Sequence, residues 1–241
     1  MSLGAKYKAV KIDPKTALQE CKTLMLDMDG TVLDLAYDNY MWMHHVPERF
    51  AAQNGLEPDV AREQLYAKFN SMRGQIEWYC LDHWSDYLGL DVAQLHRDEN
   101  HRIGYLPGAE DFLKAVRQLD IRVLMVTNSH SETLSIKDEI TGITEHFDGI
   151  YTSHAFGHPK ESQPFWQALA EEEDFDPSTT LFIDDTARVL SSAAEYGIEM
   201  LLEITHPDTT ADARQTTEYS PVDGVRDLLQ KEPLGETVQP K

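Results

Sequence analysis

The stretch Leu24-Met25-Leu26-Asp27-Met28-Asp29-Gly30-Thr31 constrains this chain more than any other. A short apolar run ends in two carboxylates one residue apart, and Gly30 and Thr31 then turn the chain away. Apolar runs bounded by turn residues read as buried strands. In an open α/β sheet, chemistry collects at the carboxyl ends of the strands. Asp27 and Asp29 are therefore expected at the mouth of a sheet, with their side chains on the same side. Carboxylates that close raise each other's pKa unless a cation intervenes. One can act as nucleophile and the other as general acid where a metal holds the site together.

The rest of the chain supplies such a sheet. Short apolar strands are expected near 23–28, 121–126, 147–151, 181–183 and 198–204. Between the later ones fall helical stretches at Glu110–Leu119, at 131–140 with Ser131 as N-cap, after His154–Lys160 with Pro164 in the first turn, and at Thr186–Tyr196. Strands alternating with helices of this length indicate a parallel, doubly wound α/β sheet. Residues 14–21 suggest a short helix before the first strand, 205–220 a loop, and 222–230 a last helix. Residues 231–241 read as a frayed tail.

From Leu35 to Ile103 the texture changes to aromatic-rich helical spacing without a strand. Tyr37, Tyr40, Met41 and His44 mark one helical face. Further helices are expected at 59–72, 75–88 and 92–100. The division is thus a core of residues 1–34 and 104–230 with a helical insert at 35–103. With 241 residues and 41% hydrophobic content, the chain has room for both.

A net charge of -21, from 42 acidic and 21 basic residues, repels nucleic acid and anionic membranes, so neither is an expected partner. Two cysteines, Cys21 and Cys80, are too few for a disulfide framework and suit a reduced, cytoplasmic setting. The Lys-rich start lacks the apolar segment of a signal peptide, and no run is long enough to span a membrane. The sequence leaves oligomeric state open.

Three apolar strands end in groups suited to phosphate chemistry: Asp27 and Asp29, Thr127 and Asn128, Asp184 and Asp185. Lys160 precedes a helix between the second and third. In this order and strand context the set resembles the four motifs of haloacid dehalogenase-like phosphohydrolases. The resemblance implies a Rossmann-like core with a helical cap, and hydrolysis through an aspartyl-phosphate. Asp27 would be the nucleophile and Asp29 the acid and base. The Thr127 hydroxyl, the Asn128 backbone N–H and the Lys160 ammonium would hold the phosphoryl oxygens. Mg²⁺ would be ligated by the Asp27 carboxylate, the Asp29 carbonyl and the Asp184 carboxylate. Asp185 would act through a metal-bound water or by orienting Lys160. Dehalogenases of the superfamily lack an acid at the second position, so Asp29 favours phosphoryl chemistry.

Two strings in the insert narrow the resemblance, Asp34-Leu35-Ala36-Tyr37-Asp38-Asn39-Tyr40 with Trp42, and Trp78-Tyr79-Cys80-Leu81-Asp82 with Trp84-Ser85. Together with Phe156-Gly157-His158-Pro159-Lys160-Glu161 they are similar to the bacterial GMP/IMP nucleotidases. That implies a purine nucleoside monophosphate substrate. Asn39, Tyr40 and Arg73 are candidate contacts to base or ribose, with Arg73 equally a solvent-facing ion-pair partner. Most insert rings are expected to pack its own core. The alternatives are a phosphatase of small metabolites such as phosphoglycolate or a sugar phosphate, a phosphomutase, and a non-catalytic acidic interaction module. Ten histidines, among them the neighbours His44-His45 and His154 with His158, suggest a zinc site. Such a site needs three or four converging ligands, and an oxygen-ligated Mg²⁺ explains the carboxylates better.

Overall fold

A computed structural model describes residues 11–215 and 217–229; the expected tail at 231–241 lies outside them. Helix α1 (Pro14–Glu20), capped by Asp13, leads into strand β1 (Thr23–Leu26). The insert follows: α2 (Ala36–Tyr40), α3 (Val46–Asn54), α4 (Pro58–Met72), α5 (Leu81–Leu88) and α6 (Val92–Asp98). The core resumes with α7 (Ala109–Val116), β2 (Arg122–Thr127), α8 (Ser131–Thr141) and β3 (Gly149–Thr152). It ends with α9 (Ser153–Phe156), α10 (Gln163–Glu172), β4 (Thr180–Asp184), α11 (Ala187–Tyr196), β5 (Met200–Ile204) and β6 (Ser220–Val222).

The six strands form one parallel sheet in the order β3-β2-β1-β4-β5-β6. Period-two alternation assigns each side chain to a face. Leu24, Leu26, Met125 and Ile183 join the core that also receives α7 and the insert. Met25, Leu124, Val126 and Phe182 point the other way, onto Phe165, Trp166 and Leu190 of α10 and α11. Strand order reverses beside β1, so the crevice for ligands opens at the carboxyl end of β1.

The insert enters and leaves along one seam. The N–H of Asp34 donates to the Gly104 carbonyl at 2.9 Å, and that of Leu106 to the Val32 carbonyl at 2.9 Å. Inside it, Phe69 packs edge to face with Trp42 and with Trp84, the latter at 4.8 Å between centroids, and Trp42 lies tilted against Trp84. Between α2 and α3 the helix widens into a π turn, Met41–His45, just before Pro47. Pro47 has no N–H to give the Met43 carbonyl, which instead accepts from the Tyr66 hydroxyl at 2.8 Å.

Four local expectations are corrected. The helix expected at 75–88 breaks at Cys80, which is extended; a 3₁₀ turn, Ile76–Tyr79, precedes α5. The Trp84 indole N–H takes the Trp78 carbonyl at 2.8 Å, where a continuing helix would place a backbone donor. The N-cap of α8 is His130, one residue before Ser131; its Nδ1 accepts from the Glu132 N–H at 3.4 Å. In place of a last helix, Ser220–Val222 adds a sixth strand, and a 3₁₀ turn follows at Val225–Leu228. Pro221 is tolerated there because β6 is a sheet edge. The residues before α10 also hold a short helix, α9, that the sequence gives as loop.

His96 anchors the insert beneath this packing and is fully buried. The Tyr37 hydroxyl donates to the His96 carbonyl at 2.9 Å, so the ring's Nδ1–H donates back to the Tyr37 hydroxyl oxygen, also at 2.9 Å. Nε2 is buried with no partner among the described residues. Burial, with Lys137 adding, holds the ring down to about 3. The unfolded ring takes its proton near pH 6.5, so the folded state binds fewer protons as pH falls below that, and stability is lost. Over the full window the term is about 4–5 kcal/mol. Asp38 and Asp185, pushed up to about 6, chiefly by burial, act with the opposite sign. The informative quantity is therefore a difference. The stability gap between the wild type and His96→Gln, from urea titrations, should move against the wild type as pH drops from 6.5 to 4. A gap independent of pH would mean the ring is not held neutral.

Candidate active site

Chain direction brings three strand-end groups and one loop lysine to a single crevice. Asp27 follows β1, its N–H bonded to the Ile183 carbonyl of β4 at 3.0 Å. Thr127 closes β2 and Asp184 closes β4. Lys160 arrives from the loop after α9 and is 2% exposed. An ammonium has three protons to place. They go to Asp27 Oδ1 at 2.5 Å, Asp184 Oδ2 at 2.7 Å and the Val126 carbonyl at 3.0 Å. Burial works against this charge, but Asp184 and Asp27 outweigh it, so the Lys160 pKa stands above the usual value. Burial likewise pushes the Asp27 carboxyl well up, opposed by Lys160.

Asn128 holds the lysine loop: its Oδ1 accepts the Lys160 backbone N–H at 2.9 Å and its Nδ2 donates to Glu161 at 3.0 Å. The Thr127 hydroxyl oxygen accepts from the Ser129 N–H at 3.0 Å, which leaves its proton to donate elsewhere. Gly30 has φ +81°, and a Cβ there would lie 2.9 Å from the Asp185 carboxyl carbon; only glycine fits the turn at this approach.

Carboxylate oxygens of Asp27, Asp184 and Asp185 lie within 4.8 Å of one another. Such a hard oxygen set suits Mg²⁺. Asp27, Asp184 and Asp185 carry one charge more than Lys160 and Arg214 offset, a surplus that favours a cation. The side chain of Asp29 stands outside this set. Of the two roles expected for Asp185, orienting Lys160 is not what the structure shows. Arg214 grips it, donating to its Oδ2 at 2.9 Å and to its carbonyl.

Asp29 belongs to a second cluster. Lys137 of α8, 1% exposed, donates to Asp29 Oδ1 at 2.6 Å and to both oxygens of Asp38 at 2.8 Å. Each buried lysine thus bridges two carboxylates. The second oxygen of Asp29 has no hydrogen bond among the described residues, and Asp29 lines the cleft.

The cleft has a volume of about 750 Å³. Its floor is the strand-end set; its insert wall includes Trp42, Phe69, Asn70, Arg73, Trp78 and Tyr79. The Tyr79 hydroxyl donates across to Glu161 Oε1 at 2.6 Å, joining insert to core. Asn39 lines the cleft but spends its amide on Asp208 at 2.7 Å. Arg73 lines it, exposed, and forms no ion pair among the described residues. Tyr40 is not brought there; its ring lies under the Arg102 guanidinium at 3.8 Å. Tyr37 and Trp84 are insert core, as most rings were expected to be.

Lys137, Asp38, Arg214 and Glu161 were not foreseen as site residues. Lys137 left a signal, a lysine beside Ile136 and one turn after Thr133 on the buried face of α8. Removing one partner of a buried ion pair costs about 3–5 kcal/mol. Lys137→Met should lose about that much in a denaturant titration, and Lys137→Met/Asp38→Leu should recover most of it. Equal losses in both would mean that the charges are not coupled.

Comparison with known proteins agrees with this geometry. A model for haloacid dehalogenase-like hydrolases matches residues 21–197. GMP/IMP nucleotidase YrfG of Escherichia coli is 38% identical over 213 residues, covering 88% of this chain and 96% of that protein. A HAD phosphatase from Thermococcus onnurineus superimposes with a TM-score of 0.71 at 18% identity, over 86% of this chain and 95% of that one. The L-2-haloacid dehalogenase of Xanthobacter autotrophicus shares the fold at a TM-score of 0.57 and 16% identity, over 86% and 96%. The chain belongs to the haloacid dehalogenase-like hydrolases and is a phosphohydrolase of that family.

Proposed function

We propose that this enzyme is a Mg²⁺-dependent, cytoplasmic 5′-nucleotidase that hydrolyses GMP and IMP to nucleoside and phosphate. The carrying observation is a 750 Å³ cleft with phosphate-handling groups on its floor and aromatic rings on its wall. That size lies within the roughly 300–1,000 Å³ of small-molecule sites and leaves room for a base beyond the phosphate. The 38% identity to an E. coli protein named as a GMP/IMP nucleotidase supports the same substrate class. The free cysteines suit the reducing compartment. In this reading residues 1–34 and 104–230 are the catalytic core, and residues 35–103 are a cap that closes over the substrate.

Asp27 attacks phosphorus in line, forming the aspartyl-phosphate as the ester oxygen departs. Asp29 donates a proton from its carboxyl group to that oxygen, so the nucleoside leaves neutral. It then accepts a proton from the water that attacks phosphorus, releasing phosphate and restoring Asp27. Lys137 fixes the Asp29 side chain through one oxygen, leaving the other to carry the proton. The Thr127 hydroxyl and Lys160 stabilise charge on the transferring group. Mg²⁺, held by the Asp27 and Asp184 carboxylates and the Asp29 carbonyl with Asp185 beside them, would supply further positive charge to the phosphoryl oxygens. Asn39 and Arg73 are the cleft residues offered for base or ribose.

Phosphate release from GMP, IMP, AMP, UMP, phosphoglycolate and a sugar phosphate tests this reading. Turnover should concentrate on GMP and IMP, require Mg²⁺ and vanish with a chelator. Asp27→Asn should lose at least about 10³-fold in kcat, and Asp29→Asn about 10²–10⁴-fold. Preferred turnover of the small phosphates would remove the nucleotidase assignment while keeping the chemistry.

A further inference from the structure

A second group of ligating atoms lies outside the catalytic set. Cys80 caps α5 in the insert, His130 caps α8 in the core, and His154 sits in α9 of the core. One ligand atom from each lies within 4.8 Å of the others. All three are half-buried. The histidine ring centroids are 4.8 Å apart and nearly perpendicular, at 87°. His154 Nε2 is buried with no hydrogen-bond partner among the described residues, while its Nδ1 lies 3.5 Å from the Ser153 hydroxyl. That contact steers the ring and leaves Nε2 as the free donor atom. Asp82 Oδ2, 3.9 Å from His130 Nε2, is available as a fourth ligand. Of the neighbouring histidines in the sequence only His154 converges here; His44, His45 and His158 lie outside this group.

We propose that Cys80, His130 and His154 form a site for Zn²⁺ that clamps the insert to the core at the rim of the cleft. One sulfur and two nitrogens suit Zn²⁺, whereas Mg²⁺ requires oxygen ligands. Binding releases the thiol proton to solvent, leaving a thiolate on the metal. His130 itself lines the cleft, so a bound ion stands beside the substrate entrance. Where opening of the insert is needed for product release, the clamp makes Zn²⁺ an inhibitor at saturating Mg²⁺. That consequence rests on the cap reading above; the binding does not.

Titration of the intact protein with Co²⁺, at saturating Mg²⁺, reads the site directly. A single equivalent should give visible d–d bands with a thiolate charge-transfer band, displaced by Zn²⁺. Cys80→Ser should lose the charge-transfer band, and His154→Gln should weaken binding at least tenfold. Asp27→Asn, which alters the catalytic carboxylates, should leave the spectrum intact. Zn²⁺ should inhibit wild-type phosphate release at least tenfold and Cys80→Ser much less, with equal activity in its absence. An unchanged spectrum in Cys80→Ser, or binding lost in Asp27→Asn instead, would overturn the site. Binding without inhibition would overturn the clamp.

Discussion

The buried ammonium of Lys160 is the interaction on which the site depends. An unpaired charge in an interior is expensive, and so is an unpaired carboxylate. Lys160 resolves both by placing its three protons on Asp27, Asp184 and the end of β2. Those partners come from three neighbouring strands, so one side chain ties together the carboxyl ends of β1, β2 and β4. The sheet order, with β1 central, is what makes those ends adjacent. Asn128, Glu161 and the Trp166 indole in turn hold the loop that carries the lysine.

A second lysine repeats the arrangement one layer out. Lys137, on α8 of the core, links Asp29 of the core to Asp38 of the insert, so the carboxylate proposed for proton transfer is held by a side chain that also grips the insert. The Tyr79–Glu161 hydrogen bond spans the cleft in the same way. Position of the insert and geometry of the reacting groups are therefore physically coupled.

The strand ends were legible because an apolar run that stops at a polar group is a local signal. Asp27, Thr127 and Asp184 each carry one. Lys160 stood out only in combination with them. Arg214 was not legible: it comes from an aperiodic loop, and its partner Asp185 is 29 residues away. Lys137 was hidden because a lysine on a helix is ordinarily solvated. Tyr40 was read by its residue type, and tertiary packing against Arg102 decided otherwise. Strand β6 has three residues including a proline, too short for any period to register. Cys80, His130 and His154 lie on three elements, so their convergence is a property of the fold alone.

In the proposed reaction Asp27 becomes covalently phosphorylated. Rapid quenching of the enzyme with GMP labelled in its phosphate, followed by peptide mapping, tests it most directly. Label is expected on the peptide containing Asp27, formed within one turnover, and none in Asp27→Asn. Label on another residue, or full turnover with no labelled protein at any quench time, would contradict it.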